Sequence, residues 1–160
     1  MDDTSIWEVC RADLRDSQLQ LAVNQATEWS KRNLMSINTD KTKAMTISFS
    51  RTDHHVAPIT VDGKDIEDVC TFRRLGIVIS ADITWGPHVD YLYEKCVPRL
   101  YLLTILKRAG TSTEDTLKIY HVMIRSVLEY ACQVWHTSLT TQQSNTLESI
   151  QRRALRIIFF

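Results

Sequence analysis

Thr71-Phe72-Arg73-Arg74-Leu75-Gly76-Ile77-Val78-Ile79-Ser80-Ala81-Asp82-Ile83-Thr84-Trp85 is the stretch on which the fold turns. Ile77, Val78 and Ile79 form an unbroken β-branched run, the pattern of a strand covered on both faces, and Ser80-Ala81-Asp82 closes it with turn chemistry. A buried strand is therefore expected. Gly76 interrupts it, and a glycine within a strand weakens it, so its expected use is a kink or the close approach of another group to the backbone. Arg73 and Arg74 stand at the strand's entrance. The chain before Thr71 reads as short strands and one helix, and the chain after Trp85 as helices throughout. The expected fold is α+β, with a small strand-and-helix region over residues 1–85 and an all-α bundle over residues 86–160.

With 160 residues and 44% apolar content, the chain is long enough for one domain with a real core or two small units sharing one. Lys plus Arg and Asp plus Glu number 19 each, a balance that argues against an autonomous nucleic-acid binder, which is usually basic. The balance is uneven along the chain. Residues 1–85 carry 10 basic and 13 acidic side chains, and residues 86–160 carry 9 and 6. Cys10, Cys70, Cys96 and Cys132 are scattered, with no pair at zinc-ligand spacing, and read as free thiols of a reducing compartment. No apolar run has the length of a membrane span, and no signal segment opens the chain, so a soluble, intracellular setting is expected.

Upstream of the central stretch, Asp2-Asp3 precedes Thr4-Ser5-Ile6-Trp7-Glu8-Val9, which suits a strand leaving a turn. The adjacent carboxylates read either as a solvated pair or as a divalent-metal site of the kind Mg²⁺ shares with phosphates. Ser17 to Asn33 predicts an amphipathic helix with Leu19, Ala22, Val23, Ala26 and Trp29 on its apolar face and Asp16 or Ser17 as cap. Leu34–Asn38, Lys43–Phe49 and Ile59–Val61 are short strand candidates, and Asp62-Gly63 marks a tight hairpin. Lys41 and Lys43 either steer phosphates or stand solvated beside a strand. His54-His55, on a polar loop, lacks the further ligands a metal needs.

Downstream, Gly86-Pro87 starts a helix over residues 88–108 with two apolar stripes. One is Val89, Leu92, Cys96, Leu100 and Leu103; the other is Tyr91, Tyr101, Leu102 and Ile105, so packing on two sides is expected. Pro98 should kink or split this helix. Ser112 or Thr113 caps the next, which carries Leu117, Tyr120, Ile124, Val127, Leu128, Ala131 and Trp135 on one face. The last begins near Gln142 and carries Leu147, Ile150, Ala154, Ile157 and Ile158. Off its stripe lie Arg152, Arg153 and Arg156, a patch open to a polyanion or simply to water.

Taken in order, these blocks resemble the C-terminal palm and thumb of a reverse transcriptase of the non-LTR (LINE-type) retrotransposon class. Asp2-Asp3 resembles the aromatic-x-Asp-Asp hairpin that supplies metal-binding carboxylates. Ala22–Trp29, Ser36-Ile37-Asn38 and Lys41-Thr42-Lys43 resemble the following helix and lysine-bearing strand. Phe72 to Gly76, with Trp85, resembles the F-x-x-L-G primer-grip hairpin. Leu102–Gly110, Arg125–Trp135 and Glu148–Leu155 resemble the thumb. The resemblance implies an RNA-directed DNA polymerase as parent, with Mg²⁺ at Asp2 and Asp3 and an RNA/DNA template-primer duplex as partner. Nucleic-acid contacts would fall at Lys41, Lys43, Phe72, Leu75, Gly76, Arg152, Arg153 and Arg156, in the nucleus or cytoplasm and away from membranes.

Met1 stands directly before Asp2, where the family's pattern has an aromatic residue and a preceding strand. Two-metal phosphoryl transfer takes carboxylates from more than one strand, so a fragment inactive alone is expected, with exposed apolar surface open to self-association. Two alternatives stand beside this reading. One is a free-standing nucleic-acid-binding module. The other comes from Ser30 to Phe49, which is similar to a segment of AlkB-type iron and 2-oxoglutarate tRNA-modifying proteins; His88, Asp90 and His136 imitate an iron triad.

Overall fold

The computed structural model describes residues 4–9, 18–48 and 57–160. The fold is α+β, as expected, and divides into two compact units, Met1–Cys70 and Thr71–Phe160. Each has its own internal logic.

In the first unit, α1 (Leu19–Arg32) buries Thr27 and Ser30 rather than an aromatic. Both hydroxyls are satisfied within the helix, Thr27 Oγ1 donating to the Val23 carbonyl and Ser30 Oγ to that of Thr27, each at 2.8 Å. Leu19, Ala22, Val23 and Ala26, the expected apolar face, are all half-buried, whereas Trp29, expected beside them, is 59% exposed. Asp16 and Ser17, the expected caps, lie outside the described residues. The cap comes instead from Glu8, whose carboxylate accepts the N–H groups of Gln18 (3.0 Å) and Leu19 (3.1 Å), the charge a helix N-terminus favours.

The expected strand at Thr4–Val9 is absent, and Leu34–Asn38 forms none either. Neither segment has a paired neighbour among the described residues, and β propensity without pairing does not make a strand. Of Lys43–Phe49 only β1 (Lys43–Ala44) is a strand, and Phe49 lies outside the described residues. β2 (Thr60–Val61) and β3 (Lys64–Asp65) form the hairpin expected at Asp62-Gly63, whose φ angles of 52° and 75° are those of a two-residue primed turn. β4 (Glu67–Asp68) pairs parallel with β1. Gln20 ties α1 to β2 through both ends of its amide: Nε2 donates to the Thr60 carbonyl and Oε1 accepts the Thr60 N–H, each at 2.8 Å. Val61 and Ile66 are buried, while Leu21, Trp29, Leu34 and Ile47 stay exposed.

In the second unit, the stretch read as one buried strand is an antiparallel hairpin of β5 (Thr71–Arg74) and β6 (Ile77–Ser80), in register Phe72 to Ile79 and Arg74 to Ile77. Gly76 is at its turn, not inside a strand, and Ile77, Val78 and Ile79 are half-buried. The hairpin packs through β6 on α2 (Gly86–Arg108). α2 runs unbroken through Pro98. The missing N–H deprives only the Glu94 carbonyl of its helical donor, and both residues are exposed, so water can substitute. The first stripe is buried in full. The second is not: Tyr101, Leu102 and Ile105 are 66%, 36% and 44% exposed, and α2 leaves that side open.

Ser112 caps α3 (Thr113–Tyr120), accepting the Asp115 N–H at 3.1 Å. The single long helix expected to reach Trp135 is divided. A π-helical turn (His121–Arg125) follows α3, then come α4 (Ser126–Leu128), a left-handed Ala131 (φ 49°) and α5 (Cys132–Trp135). Arg99 donates its guanidinium to the Met123 carbonyl within the π turn. α6 (Thr141–Phe159) opens on a reciprocal capping box between Thr140 and Gln143 and ends with Lys107 Nζ on the Ile158 carbonyl at 2.6 Å. α2 and α6 make the most extensive packing in the unit. Its core joins Cys96, Leu100 and Leu103 to Tyr120, Ile124, Leu128, Ile150, Ala154 and Ile158. Each large aliphatic side chain buried there contributes about 1.5–3 kcal/mol.

Candidate nucleic-acid interface

The hairpin tip is built from two residues of positive φ, Leu75 (47°) and Gly76 (82°), joining the Arg74–Ile77 pair. This is the backbone sense of a primed two-residue turn, which asparagine-glycine fills readily and leucine does not. Holding leucine there costs about 1–2 kcal/mol. Packing of its side chain does not offset that cost, because Leu75 is 68% exposed.

Tyr130 braces the tip. Its hydroxyl donates to the Leu75 carbonyl at 3.0 Å, and its ring lies so close to Gly76 that a Cβ there would meet Cε1 at 3.2 Å. The glycine is therefore needed twice, for its φ and for the approach of a ring. Close approach is one of the two uses its sequence context suggests, and the partner is a side chain of this chain.

The brace runs back into the core. Trp135 Nε1 donates to the Tyr130 carbonyl at 3.1 Å, and Trp135 meets His88 edge-on, ring centroids 5.3 Å apart. His88 Nδ1 accepts the N–H of Val78 in β6 at 3.3 Å. Hairpin, α2 and the α4–α5 bend are thus closed into one circuit from Leu75 through Tyr130, Trp135 and His88 to Val78. His88 is fully buried, and burial pushes its pKa below the usual histidine value, so the ring is neutral and acts as an acceptor at Nδ1.

The other expected site residues are dispersed. Asp2 and Asp3, the expected Mg²⁺ ligands, lie outside the described residues. Among the described residues, no group of three His, Cys, Asp or Glu side chains gathers to hold a metal. His88 is sealed in the core and Asp90 is exposed, so the iron triad of the AlkB-type alternative is not assembled. Lys41 and Lys43 belong to the first unit, where Lys43 is neutralised by Glu67 of β4. Phe72 is half-buried on β5. Arg152 is paired with Glu148 one turn earlier, while Arg153 and Arg156 are exposed without a carboxylate partner among the described residues. Tyr130 is a site residue that the sequence does not single out, and its one visible signal is its place in the Leu128-Glu129-Tyr130-Ala131 block that carries the resemblance to the thumb.

Comparison with known proteins points to the polymerases of transposable elements. No family model matches the chain, and no solved structure matches it. It is 25% identical over 142 residues to a Drosophila melanogaster protein described as a probable RNA-directed DNA polymerase from transposon BS, an alignment covering 88% of this chain and 16% of that protein. It is 24% identical over 161 residues to the RNA-directed DNA polymerase from mobile element jockey of Drosophila funebris, covering 98% of this chain and 17% of that protein. These similarities support the reverse transcriptase family of non-LTR elements. The chain spans about a sixth of the length of the curated relatives it matches.

Proposed function

We propose that this chain is the primer-grip and thumb segment of a non-LTR retrotransposon reverse transcriptase, with β5–β6 against the primer strand and the helices of the second unit beside the template-primer duplex. The observation that carries the proposal is the braced tip. A strained leucine-glycine turn, braced by Tyr130 on one side and exposing Leu75 on the other, suits a backbone that must lie against a nucleic-acid strand without reading its bases. The charge distribution supports it, since residues 71–160 carry 11 basic and 7 acidic side chains.

In this reading the segment positions and does not catalyse. Its contribution to polymerisation is to hold the primer end where an attacking hydroxyl is needed, the positioning share of phosphoryl transfer. The metal chemistry belongs to carboxylates on several strands, of which the resemblance assigns Asp2 and Asp3 to this chain. Residues 1–160 alone are expected to extend no primer on an RNA template with Mg²⁺ or Mn²⁺.

Fluorescence anisotropy with a labelled RNA–DNA primer-template tests the positioning role. The expected affinity at physiological salt lies in the non-specific range of about 10⁻⁴–10⁻⁶ M, and Leu75→Asp, which puts a negative charge at the tip, should weaken it several-fold with no change in helix content. Equal affinity of the variant and the unaltered chain would remove the tip from the interface and the proposal with it.

A further inference from the structure

Away from the hairpin tip, two cations from different elements converge on one aromatic ring. Arg73 of β5 places its guanidinium carbon 5.5 Å from the centroid of Tyr91, and Lys95, one helical turn along α2 from Tyr91, places its ammonium at 4.9 Å. Both cations are exposed, and among the described residues neither forms an ion pair, although eight ion pairs occupy cations elsewhere. The ring is anchored behind by His88, centroids 6.3 Å apart and planes inclined by 26°. Like charges gathered without a carboxylate repel, and the ring's quadrupole offsets only part of that repulsion.

We propose that Arg73, Tyr91 and Lys95 form a seat for one phosphate oxyanion, supplied by the backbone of a bound nucleic acid. The guanidinium, the ammonium and the phenol offer three kinds of N–H and O–H donor to the phosphate oxygens, and the negative charge relieves the repulsion between the cations. Tyr91 already registers the field. Its hydroxyl is held below the usual tyrosine range, first by its hydrogen bond with Lys95 and then by the charges of Lys95, Arg73 and Arg99. A more acidic phenol is a better donor. The seat itself rests on this geometry alone; only the source of the phosphate rests on the nucleic-acid reading above.

The test is a salt titration of RNA–DNA hybrid binding by the full chain, with Arg73→Gln, Lys95→Gln, their double variant and, as comparator, Arg153→Gln with Arg156→Gln. Thermal melts establish that each variant is folded. Each cation lost from the seat should flatten the slope of log affinity against log salt by about one, and Tyr91→Phe should lower affinity without changing the slope. An unchanged slope in the Arg73→Gln, Lys95→Gln double variant would overturn the proposal. A parallel titration with inorganic phosphate, followed by the NMR signals of Tyr91, separates the two failures. If phosphate shifts these signals in the unaltered chain but not in the double variant while no hybrid binds, the seat stands and the backbone is refuted as its source. No shift and no hybrid binding would remove both.

Discussion

Replacing Gly76 with alanine tests whether the hairpin tip is held by conformation, by Tyr130 or by both. Two costs are separable. The first is conformational: at φ 82° an alanine sits in backbone territory that costs an L-residue about 1–2 kcal/mol. The second is steric: the new Cβ would lie 3.2 Å from Tyr130 Cε1, a few tenths of an ångström too near, and the ring, which is half exposed, must swing outward. That swing breaks the hydroxyl's bond to the Leu75 carbonyl, worth about 0.5–1.5 kcal/mol net. The two together come to about 1.5–3.5 kcal/mol, a large part of the roughly 5–15 kcal/mol that holds a domain together.

Urea denaturation followed by circular dichroism would measure the loss, and a cycle with Tyr130→Ala would divide it. Removing the ring should erase the steric part and leave the conformational part, giving a coupling of about 1 kcal/mol between the two positions. A loss of less than about 0.5 kcal/mol for Gly76→Ala, or additivity of the two changes within about 0.3–0.5 kcal/mol, would refute the account of the braced turn.

Three further outcomes are expected. The folded-state pKa of His88 is lowered, so the unfolded chain binds more protons on the acid side of the free histidine value. Stability should be complete above about pH 6.5, fall as pH drops from there toward the lowered pKa, and lose this dependence in His88→Gln, all readable from urea midpoints at several pH values. Cys70 is exposed, Cys132 intermediate and Cys96 fully buried with its thiol pKa pushed up by burial. Among the described cysteines, a thiol reagent on the native chain should therefore label Cys70 before Cys132 and reach Cys96 only on unfolding, and rapid native labelling of Cys96 would place it outside the core. Thr140→Ala removes one arm of the capping box on α6 and should cost about 1 kcal/mol by the same urea assay, whereas Thr140→Ser should cost little.

The helices of the second unit are legible in the sequence because burial there obeys period alone: Val89, Leu92, Cys96, Leu100 and Leu103 recur at three and four and are buried together. The Asp62-Gly63 turn is legible because its residue types are those its backbone needs. The Leu75-Gly76 turn is not legible from residue type, because leucine gives no turn signal and Gly76, before the Ile77 to Ile79 run, reads as an interruption within one strand. The breaks after Tyr120 are hidden too, since neither glycine nor proline marks them. Short strands at Thr4–Val9 and Leu34–Asn38 fail because pairing, not propensity, decides a strand. Of the candidate site, Leu75 and Gly76 can be named from the sequence. Their long-range partners cannot, Tyr130 at 55 residues' separation above all.

The π-helical turn at His121–Arg125 sets the phase of the chain beyond it. A π turn accommodates one residue more than an α turn, and each residue added to a helix rotates the remainder by about 100°. Up to Tyr120 the chain counts in one frame; beyond Arg125 it counts in another, and it is in the second frame that Tyr130 comes round to Gly76. The orientation of the brace is therefore stored as a length, not as a residue type. A deletion of one residue between His121 and Arg125 would let the helix relax to its ordinary pitch and aim Tyr130 away from the hairpin.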